Sequence, residues 1–154
     1  MRTLQASLAI FLAGLGFFYV DTFLVGYASA LSFPTWYAEF VVKHSGLGFL
    51  IWDLVTNLPV TVVSALLVGM VLGRVLERFY FLSGLATMAV AIAFATLTAE
   101  TDLTMLTTLR NTVFPVYWYQ TPSYLALWLS LPLATQFFGN RANAEPDGMT
   151  NAPV

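Results

Sequence analysis

The stretch LVTNLPVTVVSALLVGMVLG, Leu54–Gly73, runs for about twenty residues without a charged side chain. At about 1.5 Å of rise per residue, a helix of that length covers the ~30 Å hydrocarbon core of a bilayer. A second uncharged run, Phe79–Ala99, follows almost at once. Lipid offers no hydrogen bonds to exposed backbone groups, so each run must satisfy its own main chain as a helix. The chain reads as an all-α integral membrane protein.

Composition agrees. Hydrophobic residues make up 58% of the 154 and charged residues 9%, well below the ~25% of soluble domains, so the chain lacks the polar side chains to cover a soluble globule. The net charge of -2 gives no sign of a nucleic-acid partner or a polybasic lipid patch. With no cysteine in the chain, disulfides, thiolate metal sites and thiol nucleophiles are excluded.

Four spans are predicted, at about 4–31, 47–73, 79–98 and 116–138, forming one up-down four-helix transmembrane domain over residues 1–139. Residues 140–154 have little apolar bulk and read as a disordered tail. Arg2 with the apolar run up to Ala28-Ser29-Ala30 also resembles a cleavable signal peptide, but that run exceeds the usual length of such a core, and a retained first helix is the reading adopted. Arg2, Arg74, Arg78 and Arg141 then fall on one side, with Lys43 and Arg110 on the other, which places both termini in the cytoplasm of a bacterial inner membrane. Trp36, Tyr37, Tyr117, Trp118 and Tyr119 collect at the outer boundary, and Phe79 and Tyr80 at the inner one. Two short interfacial helices are expected in the outer loops. One starts at Ser32-Phe33-Pro34, with Glu39 and Lys43 able to pair. The other is capped by Thr101 or Asp102, with Leu103, Leu106, Leu109 and Val113 toward lipid and Thr104, Thr107, Thr108 and Asn111 toward water.

Every fourth residue of the second span forms a row: Asp53, Asn57, Thr61, Ala65, Gly69 and Gly73. The row winds around about half the helix, so its polar and small halves meet different neighbours. For the small half, Gly69 and Gly73 form a GxxxG pair suited to close backbone approach. Ser83, Thr87, Ala91, Ala95 and Ala99 repeat the step on the third span. The short Arg74–Arg78 connection therefore predicts an antiparallel hairpin sealed by these two stripes, with a homodimer seam as the alternative.

For the polar half, a carboxylate at membrane depth must be paired, hydrogen-bonded or near water. Asp21 and Asp53 fall at similar levels near the outer boundary. One reading makes them structural pairs that fix helix ends. The other is an outward-facing polar vestibule of Asp21, Asp53, Asn57 and Thr61, with Lys43, His44 or Arg110 as counter-charges. Pro59 is expected to kink the second span beside this region, and Pro122 and Pro132 interrupt the fourth.

No catalytic residues, metal ligands or cofactor motif emerge. His44 is the single histidine, and there is no phosphate-cradling glycine motif or nucleophile elbow. The expected function is that of a subunit or accessory partner of a larger membrane assembly, with other membrane proteins, further copies of itself and the bilayer as partners. The alternative is an oligomeric transporter or channel with Asp53 on its pathway.

Overall fold

The computed structural model describes residues 2–30, 34–99 and 103–144. Among them every regular element is helical: α1 (Arg2–Ser29), α2 (Thr35–Lys43), α3 (Ser45–Trp52), a π-helical turn (Asp53–Asn57), α4 (Leu58–Val75), α5 (Tyr80–Thr98), α6 (Met105–Val113), a 3-10 turn (Trp118–Gln120) and α7 (Thr121–Ala144). Three helices are long and apolar enough to cross a membrane: Thr3–Ser29, the continuous Ser45–Val75, and Tyr80–Thr98.

The long helices pack in a ring ordered α1, α4, α7, α5. Gly69 meets Ala134 and Thr135, and Gly73 meets Phe138 and Gly139, so α4 and α7 run parallel at close range. Gly84 of α5 lies against Pro132, and the Tyr80 ring occupies the space beside Gly139, so α5 and α7 run antiparallel. Gly14 of α1 faces Thr87 and Val90, completing the ring through α5. The expected hairpin between the second and third spans is corrected here. The small residues of α4 seal against α7, and α4 and α5 barely touch because they lie across the ring from each other.

The link Leu76–Phe79 crosses that diagonal. Buried Leu76 and Tyr80 join Leu72 and the small face of α1, Ala6, Ala9 and Ala13, to fill that end of the ring. Phe79 makes the reversal with a positive φ of 56°, a left-handed conformation that side chains adopt rarely. The Arg78 guanidinium stands 5.1 Å from the centre of its ring, a favourable cation–π distance.

The middle of the ring is filled by Phe17 of α1, Ala65 of α4, Met88, Ala91 and Ile92 of α5, and Leu131 of α7. Buried hydroxyls there serve their own helices. Ser64 donates to the Val60 carbonyl, Thr87 to Ser83 and Thr135 to Leu131, each one turn back. Such local bonds satisfy these hydroxyls within their own helices.

Other boundaries shift from expectation. The last helix starts at Thr121 rather than Val116 and continues to Ala144, so the first residues assigned to a disordered tail are helical; 145–154 lie outside the described residues. Helix α6 is capped by the Thr104 hydroxyl, which accepts from the Thr107 amide, in place of the expected Thr101 or Asp102, which lie outside the described residues. Pro34 occupies the cap of α2; Ser32, Phe33 and Leu31 are likewise outside them.

Candidate polar cavity

The π turn sits just before Pro59, which has no N–H to donate into the preceding helical turn. The chain absorbs this by widening: the Leu58 amide reaches back to the carbonyl of Asp53. Wide turns of this kind commonly occur where a helix presents side chains to a site. Here the turn directs Asp53 inward until it is 2% exposed.

Burying a carboxylate costs several kcal/mol unless it is hydrogen-bonded. Asp53 accepts from the Ser123 backbone N–H at Oδ2 (3.0 Å), from the Ser123 hydroxyl at Oδ1 (2.7 Å) and from the Asn57 amide at Oδ1 (3.1 Å). Ser123 lies in the first turn of α7, where backbone N–H groups lack partners within the helix. The positive end of the helix dipole adds to the attraction. A side chain from one helix thus caps another, and the two helices joined are those sealed by Gly69 and Gly73.

Asp21 is placed differently. Its carboxyl lies beside the hydroxyls of Thr61 and Ser64, yet Oδ1 is buried without a hydrogen-bond donor. The Ser64 hydroxyl is already directed to Val60 at 2.9 Å.

Both acids line one cavity of about 550 Å³, together with Asn57 and Thr61. The lining on α5 extends from Met88 to Ala99, about 16 Å along that helix. Phe17, Phe18, Ile92 and Leu127 supply apolar wall; Gln120, Ser123 and Tyr124 supply polar wall from α7 and the turn before it. Helix α6 covers one side, contributing Thr108, Asn111 and Thr112. Thr108, expected toward water, is instead buried.

Two bonds strap α6 in place. Tyr124 donates its hydroxyl to the Asn111 carbonyl (2.6 Å), and Trp128 donates its indole N–H to the Val113 carbonyl (3.1 Å). These carbonyls belong to the last turn of α6, where no further helical N–H follows. Tyr124 and Trp128 are four residues apart and therefore share a face of α7.

The structure brings Asp21, Asp53, Asn57 and Thr61 together around the cavity, along with Ala91 and Ala95. It does not bring in the proposed counter-charges. Arg110, Lys43 and His44 are exposed, and no lysine, arginine or histidine among the described residues lines the cavity. Ala65, Gly69, Gly73, Ser83 and Thr87 lie away from it, buried between helices. No group of three histidine, cysteine, aspartate or glutamate side chains that could hold a metal ion occurs among the described residues.

Sequence reading missed Ser123, Tyr124, Trp128 and Gly84. Thr121-Pro122-Ser123 does carry a signal, because proline in a first helical turn marks a helix start whose free N–H groups need an acceptor. No protein-family model, curated protein or solved structure matches this chain.

Proposed function

We propose that the protein crosses the bacterial inner membrane four times, as an up-down bundle with α2 and α6 at the outer interface, and admits a small solute from the outer face into the cavity. The cavity carries this reading: polar groups from four helical elements converge on a space that tight packing would otherwise have filled. For a fourth crossing by α7, support comes from its exposed face of Leu125, Leu129, Leu133 and Phe137 and from the absence of charge before Arg141. The cytoplasmic placement of both termini rests on Arg74, Arg78 and Arg141 gathering at one end.

The chain has no cysteine, so single cysteines report without background. A membrane-impermeant thiol reagent applied from outside should modify Thr112→Cys at the rim and Thr61→Cys deep in the cavity, and should leave the outward-facing Val63→Cys untouched. Protection of Thr61→Cys equal to that of Val63→Cys would remove the vestibule.

A second reading, a subunit of a larger membrane assembly, is favoured by α1. Only 11% of its most apolar window is buried, against 33% and 39% for the other two candidate spans. Its Gly16 and Gly26 meet nothing within 4 Å, and an apolar groove of about 500 Å³ runs between α1 and α4. Gly16→Leu should leave the isolated chain folded yet weaken association in mild detergent if α1 is an assembly face. Unchanged association would leave the solute-binding reading alone.

A further inference from the structure

The groove between α1 and α4 is lined only by glycine, alanine, valine and leucine. The two helices run antiparallel beside it, with Ala9 and Ala13 against the Leu72 and Leu76 cluster and Asp21 near Thr61. Ala9 and Val75 therefore mark one end of the groove, and Val20 and Leu67 the other. That is about 16 Å along α1 and about 12 Å along α4, the depth of one leaflet of a ~30 Å hydrocarbon core. At the Val75 end stands Arg74, an exposed cation in the last turn of α4. We propose that the groove holds one acyl chain of an anionic phospholipid whose phosphate lies against the Arg74 guanidinium. The polar cavity plays no part in this site.

Gly16 in the groove wall is an independent sign of an occupant. Glycine weakens a helix interior relative to alanine, so its presence calls for a close neighbour. Gly14 has one, since a Cβ there would meet Val90 and the Thr87 carbonyl, whereas Gly16 has nothing within 4 Å. The space it opens is left for something outside the described chain. An unfilled groove would also forfeit dispersion contacts, which are what hold helices together in lipid.

Shape and charge select the occupant. A volume of about 500 Å³ over about 16 Å of helix leaves a cross-section of about 30 Å². A polymethylene chain enters that space, but a helix of ~10 Å diameter needs more than twice as much. At the headgroup level, Arg74 and Arg78 outnumber the one acid on the link, Glu77. A guanidinium binds phosphate through paired N–H donors, and the net positive charge favours a lipid that carries no compensating ammonium.

Native mass spectrometry tests this on the full chain in detergent, incubated with equal amounts of dioleoylphosphatidylglycerol and dioleoylphosphatidylcholine. Expected is a monomer that retains one lipid, with the phosphatidylglycerol form exceeding the phosphatidylcholine form about fivefold, as one arginine near a membrane surface implies. Arg74→Gln should bring the two forms to parity, and Gly16→Leu, which fills the groove, should remove both. No retained lipid, or parity in the unsubstituted protein, would overturn the proposal even if Gly16→Leu fails to fold. Enrichment that survives Arg74→Gln would overturn it too. A lipid-free dimer would do the same and assign the groove to a second copy of the chain.

Discussion

At the scale of single residues, Asp53 and Asp21 show how environment separates two identical side chains. Asp53 is held by three donors, two of them from Ser123 in the first turn of α7, and so acts as a clasp between helices. Asp53→Ala leaves the Ser123 amide and the Asn57 side chain facing each other without an acceptor, and should destabilise the fold by about 3 kcal/mol. Ser123→Ala keeps the backbone bond and removes only the hydroxyl, so a loss of about 1–2 kcal/mol is expected. Thermal unfolding in detergent should rank the two in that order. A larger effect from Ser123→Ala would mean that the clasp lies elsewhere. Asp21 makes no comparable tie, so Asp21→Asn should leave the melting temperature close to that of the unsubstituted protein.

At the scale of elements, the contacts that fix the helices are those where glycine permits two backbones to meet. A Cβ placed on Gly69 would lie 2.7 Å from that of Ala134, and one on Gly84 would lie 2.6 Å from the Pro132 Cα. Gly69→Val and Gly84→Val should each cost about 1–3 kcal/mol through overpacking, while Gly26→Ala, with nothing within 4 Å, should be neutral. Helix α6 depends on different physics, being short, amphipathic and tied down by Tyr124 and Trp128. Replacing both with Phe should raise hydrogen exchange across Met105–Val113 and leave α4 unchanged; equal protection in the variant would show that α6 is held by its apolar face alone.

These elements were unevenly legible in the sequence. Uncharged length marked the spans, because lipid imposes that requirement locally. The stripes Ala65-Gly69-Gly73 and Ser83-Thr87-Ala91 announced close-packing faces, but a small face says only that something approaches. The partner of Gly69 was α7, whose contact surface of Ala134, Thr135 and Gly139 is interrupted by larger residues and shows no such stripe. The acids could be flagged from their cost in lipid, whereas the partner of Asp53 lies seventy residues away and no local pattern could name it. Thr108 was assigned to water because an amphipathic helix has a polar side, and sequence cannot tell water from a polar cavity.

At the scale of the whole molecule, the ring order α1, α4, α7, α5 sets the successive helices α4 and α5 on a diagonal and joins α4 to α7, distant in the chain. Glu77 lies at the end carrying Arg74 and Arg78, and Thr112 at the opposite end beside the cavity. In the proposed orientation, Glu77→Cys should resist the impermeant reagent in intact cells and react in inverted vesicles, with Thr112→Cys giving the reverse; the opposite pattern would invert the topology. The clasp between Asp53 and Ser123 carries a further consequence, one of timing. During synthesis the second long helix emerges well before the last, so its carboxylate and its two glycines wait in the bilayer without the surface they were shaped for. The finished architecture becomes available only when α7 arrives, which makes the final helix a checkpoint: a chain cut short before Thr121 presents an uncompensated acid to the membrane, a natural mark for proteolytic quality control.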